Sequence, residues 1–190
     1  MPPLNALIVP LRGNPLARAA AAAVVGGLLF LGCGRQAAPP AGKATAEVVL
    51  RTVDSRGLND AIQRHRGKIV LVEFWATWCV PCVQLFPRTA ELQRRLADRG
   101  LAVISVSMDD VEQREAVFRF LRGHHATFDN YISSYGIGSE GFDAFGVSDG
   151  ALPHLKLYDR NGQVQKTFAS GGQSLAHENI ESAVEELLGR

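Results

Sequence analysis

Apolar and polar positions along this chain follow two rhythms in turn. "KIVLVEFW", Lys68–Trp75, is apolar almost throughout, Glu73 being the exception. A continuous run of that length predicts a central strand buried on both faces. "LAVISVSM", Leu101–Met108, predicts a second such strand, and "VVLRTV", Val48–Val53, a shorter first one. Leu58, Ala61 and Ile62 stand at i, i+3, i+4 spacing and predict a helix over Leu58–His65, broken by Gly67. A long helix is predicted from Val80 to Asp98, ended by Gly100, with Pro87 expected to kink it. Asp109 and Asp110 are expected to cap a helix from Val111 to Arg122, with Val111, Val117, Phe118 and Leu121 on its apolar stripe. From Gly123 to Gly150 the chain is Gly-rich and carries aromatics. His154–Phe168 then predicts two strands joined at Asn161-Gly162, a strong hairpin signal. Leu175–Leu188 predicts a last helix, with Ile180, Val184, Leu187 and Leu188 on one side. Alternating strands and helices closed by a hairpin predict an α/β sandwich with a mixed sheet.

The first 47 residues do not share this pattern. Residues 1–18 carry Arg12 and Arg18 as their charges, and Ala19–Leu31 is an unbroken run of 13 apolar or small residues. The run is short of the ~20 residues that span a bilayer. A basic segment, a short apolar segment and a small residue at the boundary predict a secretion signal. "LLFLGC" closes it, and Cys33 after Gly32 resembles the cleavage box of a bacterial lipoprotein, where the cysteine receives a lipid. Phe30 and Leu31 depart from that box, so simple cleavage and an uncleaved signal anchor stand beside lipidation. Residues 34–47, rich in Ala, Pro and Gly, predict a flexible tether to a domain over 48–190. These readings place the domain outside the cytoplasm, membrane-anchored and facing the periplasm or cell exterior.

Composition narrows the function classes. With 190 residues, 46% hydrophobic content and a formal net charge of +1, the chain can bury one ordinary core. It has neither a nucleic-acid footprint nor a polybasic membrane surface. Three cysteines cannot build a disulfide framework.

The candidate chemistry sits in "FWATWCVPC", Phe74–Cys82. Two cysteines at Cys-x-x-Cys spacing read as a redox dithiol, as half of a zinc site, or as two packed thiols. A structural zinc site takes four ligands, usually with a second Cys or His pair. His124 and His125 are adjacent rather than spaced, and the domain has no further cysteine. A redox dithiol at a helix start is favoured chemically: the first thiol faces unpaired amides and the positive end of the helix dipole, which favours its thiolate. Cys79 is therefore the expected nucleophile and Cys82 the resolving thiol, and Pro81 is tolerated in the first turn. Glu73, inside a predicted buried strand, is expected to be neutral or hydrogen-bonded, with desolvation raising its pKa; the competing reading is a Glu reaching solvent at the strand end.

"VEFWATWCVPC", followed by Pro87 and later by "LPHLKLYDRNG", resembles the thioredoxin superfamily. The leader and the extra segment before Pro153 are similar to its membrane-anchored TlpA/ResA-type branch. The resemblance covers Val48–Arg190 and implies a thioredoxin-like fold, a three-layer α/β/α sandwich with a mixed central sheet. It implies a protein-disulfide oxidoreductase whose only redox group is the Cys79–Cys82 pair, with no metal and no dissociable cofactor. By the same resemblance, Trp78 flanks the nucleophile and Pro153 is a cis-proline. The backbone of Leu152 then pairs with an extended substrate peptide, and Glu73 acts as the base for Cys82. Val80 and Pro81 tune the potential between the cysteines, and His154 adds a further tuning charge. Leu85 stands where ResA-type proteins carry a Glu, which weakens a claim to cytochrome-c-specific function. His124, His125, Phe128, Tyr131 and Tyr135 are read as turn and packing residues.

The implied partners are protein disulfides or thiols, including apocytochrome c, and a membrane electron donor that re-reduces the pair. The chain would meet the membrane through its N-terminal lipid or signal anchor. Two other readings remain: a non-enzymatic redox-sensing or metal-delivering module, and a peroxiredoxin-like peroxidase, for which the residues before Cys79 lack the Pro-x3-Thr-x2-Cys pattern.

Overall fold

A computed structural model describes residues 47–147, 150–169 and 175–189. The predicted leader, most of the tether and Cys33 lie outside the described residues. The chain divides into two units, Met1–Gly42 and Lys43–Arg190, and the fold is that of the second. Among the described residues no helix is long and apolar enough to cross a membrane.

The element order is β1 (Leu50–Val53), α1 (Ser55–Arg64), β2 (Ile69–Trp75), α2 (Val80–Leu96), β3 (Leu101–Ser107), α3 (Arg114–Gly123), β4 (Asp129–Ser133), α4 (Ser139–Ala144), β5 (His154–Tyr158), β6 (Val164–Ala169) and α5 (His177–Leu188). The two continuous apolar runs become β2 and β3, and every residue of both strands is buried. They sit at the middle of one six-stranded sheet of order β1-β4-β3-β2-β5-β6. β1, β4, β3 and β2 run parallel, whereas β5 and β6 are antiparallel.

Strand alternation sends side chains to two layers. Val70, Val72 and Phe74 pack with Leu58, Ala61 and Ile62 of α1 and with Phe145 just beyond α4. Ile69 and Leu71 face Leu92 and Leu96 of α2 and Ile180, Val184 and Leu187 of α5. Trp75 lies with Cys79, Cys82 and Phe86 and with Val117 and Leu121 of α3. The result is the expected α/β/α sandwich.

Several expectations are corrected. α1 starts at Ser55 rather than Leu58, because Asp54 caps it, its carboxylate accepting the Gly57 N–H at 2.7 Å. Asp109 and Asp110 make no side-chain cap on the following helical turn; their carboxylates bond other loops instead. Val111 lies in a separate 3-10 turn and is 39% exposed, leaving Val117 and Leu121 as the buried residues of α3. The Gly-rich stretch holds β4 and α4. A five-residue strand and a six-residue helix are too short to show a period among glycines.

One consequence of this topology positions the site. The C-terminal ends of parallel β2, β3 and β4 lie at one end of the sheet. Antiparallel β5 begins at the same end, with His154 opposite Phe74. The segments 76–79, 108–110, 134–138 and 150–153 therefore gather there, where open α/β sheets bind their ligands.

Candidate functional site: a disulfide at the first turn of a buried helix

Cys79 and Cys82 form a disulfide, S–S 2.07 Å. Cys79 occupies the N-cap of α2 in extended conformation, and its Sγ accepts the Cys82 N–H at 3.3 Å. The helix start thus places one unpaired amide on the outer sulfur. Pro81 fits in the first turn, and α2 runs without interruption through Pro87. The two cysteines are unequal. Cys79 is 6% exposed and Cys82 is 0% exposed, while Trp78 and Val80 beside them are 49% and 66% exposed.

The pair rests on an aromatic base. The Trp75 ring lies 4.8 Å from Phe86 and 4.7 Å from Phe120, and Phe120 lies 4.5 Å from His124. Such packing fixes the start of α2 against β2 and α3. Phe120 and His124 extend the α3 stripe of Val117 and Leu121 at i+3 and i+7, a spacing the sequence carries and the predicted stripe omitted. Burial, with the neighbouring His125 as a smaller cause, holds the His124 imidazole below its ordinary pKa. Phe128 packs on Phe86, the Tyr131 hydroxyl accepts from Arg64 at 2.9 Å, and the Tyr135 hydroxyl accepts the Ser55 N–H at 3.2 Å.

Glu73 is fully buried, so the solvent-reaching alternative is excluded. It shares a face of β2 with Leu71 and Trp75 and so faces the α2 side of the sheet, between Ser105 of β3 and Leu155 of β5. Neither carboxylate oxygen has a hydrogen-bond partner of normal geometry. Burial pushes its pKa from 4.5 up to about 8, only partly opposed by the Thr89 hydroxyl on α2. Ser105 offers little relief, because its hydroxyl donates to Asn130 Oδ1 at 2.8 Å. The Trp75 indole N–H, two residues along the same face, is likewise buried without a partner.

The Leu152–Pro153 peptide is cis. Pro153 is buried, and Leu152 packs against the cluster containing both cysteines. His154 is not brought to the sulfurs. It is 2% exposed and lies edge-on to Phe74, ring centroids 6.0 Å apart, on the opposite face of the sheet from Trp75. Val80 and Pro81 are exposed between the cysteines.

Sequence reasoning missed the groups that hold the dithiol loop. Asp109, fully buried, accepts the Thr77 N–H at 3.0 Å, the Thr77 hydroxyl at 2.5 Å and the Ser107 hydroxyl at 2.6 Å. Met108 N–H donates to Trp75 O at 2.7 Å, closing the same end. Asp110 reaches the other way, its Oδ1 accepting the Ile137 N–H at 2.7 Å. The signal was the Asp-Asp pair directly after a buried strand, which reads equally well as a helix cap. Among the described residues no group of three or more His, Cys, Asp or Glu is placed to hold a metal ion.

A disulfide in the first turn of a helix, fed by a buried central strand and flanked by a cis-proline, defines a thioredoxin-like thiol–disulfide oxidoreductase, which works through its cysteine pair without a cofactor. The Redoxin family model matches residues 40–184, and the chain belongs to that family. It is 36% identical over 125 residues to the thioredoxin-like protein YneN of Bacillus subtilis, covering 65% of this chain and 68% of that one. It is 29% identical over 134 residues to the thiol-disulfide oxidoreductase ResA of Geobacillus thermodenitrificans, covering 70% and 71%. A structure described as a thiol:disulfide interchange protein DsbE from Chlorobium tepidum aligns at TM-score 0.57 and 27% identity, over 67% of this chain and 85% of that one.

Proposed function

We propose that the domain is an extracytoplasmic, membrane-tethered reductase of disulfides in secreted proteins. Cys79 attacks the substrate and Cys82 releases it. The observation that carries the assignment is the asymmetry of the pair, with Cys79 reaching the surface beside exposed Trp78 and Val80 while Cys82 is wholly enclosed. In the reduced protein the Cys79 thiolate attacks one sulfur of a substrate disulfide, and the other substrate sulfur leaves as a thiol. Cys82 then attacks Cys79 in the mixed disulfide, the substrate departs with two thiols, and the Cys79–Cys82 disulfide forms. A membrane thiol donor returns two electrons to it.

Glu73 supplies the proton station. It holds a proton at neutral pH in the disulfide form, the proton Cys82 takes up when the disulfide is opened, and accepts it back when Cys82 attacks. A bridging water suits the enclosed polar edge that Glu73 and Trp75 share. Leu152 and Pro153 form the docking edge with Trp78, Val80 and Pro81 tune the pair, and a tuning effect of His154 acts across the sheet from the sulfurs. Residues 1–33 are a signal peptide or a lipoprotein signal or membrane anchor, with Cys33 as the lipid site, and 34–47 the tether to the domain over 48–190. Leu85 favours secreted proteins with paired cysteines in general over apocytochrome c alone.

Cys82→Ser should trap mixed disulfides with secreted proteins, whereas Cys79→Ser should trap none and be inactive; trapping by Cys79→Ser instead would reverse the roles. The direction is tested by the Cys79–Cys82 potential against glutathione. A value near the thioredoxin end, about −270 mV, supports reduction, and one near the DsbA end, about −120 mV, overturns it.

A further inference from the structure

Six large hydrophobic residues are conspicuously exposed among the described residues, and four of them belong to one end of the sheet: Trp78, Val80, Val111 and Ile137. Trp78 and Val80 flank Cys79. Ile137, 51% exposed, sits on the loop after β4 and is held there deliberately. Its N–H is fixed by Asp110 Oδ1 at 2.7 Å. Gly136 turns the loop at φ +69°, and a Cβ at that position would lie 2.6 Å from the same oxygen, so any other residue there would push the Asp110 carboxylate aside. The neighbouring Asp109 fixes the dithiol loop through Thr77. Adjacent carboxylates at the end of β3 thus clamp the loop bearing the sulfurs and the loop bearing Ile137.

From this geometry we infer that Ile137 is a specificity-determining residue, one that takes an apolar side chain of the substrate polypeptide a short distance from the cysteine attacked by Cys79. The inference rests on the assignment of Cys79 as the attacking sulfur. Strand order sets the spacing. β2, which leads to Cys79, and β4, which leads to Ile137, are separated by β3 alone. Two interstrand intervals are about 9.6 Å, close to three residues of extended chain. Leu152, two residues before β5, lies on the other side of β2, because β5 pairs with β2 away from β3. A peptide crossing the strand ends from Leu152 therefore passes Cys79 and reaches Ile137 with a residue about three positions beyond its cysteine. The occupant is an extended cysteine-containing segment of a substrate protein, because exposed Ile137 stands at the same end of the sheet as exposed Trp78 and Val80, which flank Cys79. Asp110 is a positioning residue: it acts through the Ile137 amide and touches no reacting atom.

The test uses two disulfide-cyclised peptides, one with leucine three residues from its cysteine and one with serine there. Each is reduced by the dithiothreitol-recycled protein, so that each turnover oxidises one protein dithiol and yields two peptide thiols. Wild type should prefer the leucine peptide, mainly through KM. Ile137→Ser should lower the ratio of kcat/KM values roughly fivefold, the size expected when a half-exposed aliphatic side chain loses its burial on docking. Asp110→Ala should lower the same ratio with Ile137 still present, and Asp110→Asn, which keeps an acceptor, should restore most of it. An unchanged ratio in Ile137→Ser overturns the inference. A ratio that responds equally to leucine at any position overturns the crossing geometry. Wild type inactive on both peptides would instead sink the Cys79 assignment beneath it.

Discussion

Asp109 accepts two hydrogen bonds from Thr77, one from the backbone N–H at 3.0 Å and one from the hydroxyl at 2.5 Å. A residue at the end of β3 thereby sets the conformation of the segment two residues before Cys79. With the buried Ser107 hydroxyl donating to the same carboxylate at 2.6 Å, three donors depend on it, two of them on half-buried Thr77. Asp109→Ala would leave all three without that acceptor and should destabilise the oxidised domain by about 3 kcal/mol. That is a fall of roughly 10 °C in Tm for a domain of this size. Asp109→Asn keeps an acceptor and should lose much less. Thermal melts of the two variants check the order; equal losses would mean that the size of the side chain, not its acceptors, holds the loop.

Glu73 ties stability to pH. Its usual carboxyl pKa is 4.5 and its value in the folded disulfide form is about 8. Below pH 4.5 the group is neutral both folded and unfolded, so it adds no pH-dependent term. From 4.5 to about 8 the unfolded chain releases the proton while the folded protein keeps it. Its contribution to stability therefore falls as pH rises and levels off above 8. The difference corresponds to roughly 5 kcal/mol. In Glu73→Gln the amide does not titrate, so the variant should gain on wild type by several kcal/mol between pH 4 and pH 9. Urea unfolding of both oxidised proteins across that range measures it. A difference independent of pH would show that Glu73 is already ionised in the fold.

The strands that carry the site were legible because burial on two faces leaves a mark that needs no partner: Val70–Trp75 and Leu101–Val106 are apolar almost without a break. The Cys79/Cys82 pair and the helix start were legible for a related reason, since local chemistry and local conformation coincide there. β4 and α4 were not. Their apolar residues, Tyr131 and Ile132 in β4 and Phe142 and Ala144 in α4, are too few to mark a period, so neighbouring strands and packing decide their structure. Asp109 and Asp110 show the limit most clearly. Their sequence signal is a helix cap, but the sheet brings Thr77 and Ile137 within reach, and those contacts are 32 and 27 residues away in the chain. His154 illustrates the opposite error of scale: adjacent to Pro153 in sequence, it faces the other layer because strand alternation decides direction.

The proton station makes a kinetic prediction separate from the stability one. If Glu73 accepts the Cys82 proton during release, Glu73→Gln should slow single-turnover resolution of a preformed mixed disulfide by about 10²-fold or more. The initial attack by Cys79 should change far less. The wild-type resolution rate should also rise with pH through an inflection near pH 8 to a plateau above it, following the ionisation of Glu73, and the variant should lose that inflection. Equal slowing of attack and resolution would point to a general disturbance of the core, and an unchanged resolution rate would remove Glu73 from the mechanism.

Gly136 and Gly67 separate backbone strain from collision. Both have positive φ, +69° and +89°, so alanine at either is strained by about 1 kcal/mol. A Cβ at Gly67 meets nothing within 4 Å, whereas one at Gly136 lies 2.6 Å from Asp110 Oδ1. Gly136→Ala must therefore also displace the carboxylate that holds Ile137, and it should lose the larger share of stability, about 2 kcal/mol against about 1. The two effects differ in place as well as size. In Gly136→Ala the Ile137 amide loses its acceptor and should exchange its proton with solvent faster, while the Thr77 amide, held by Asp109, keeps its protection. Gly67→Ala should leave both amides as they are. Hydrogen exchange at Ile137 and Thr77, read with thermal melts of both variants, decides the matter. Equal losses of stability with Ile137 still protected would mean that Asp110 gives way at no cost and that the loop does not depend on it.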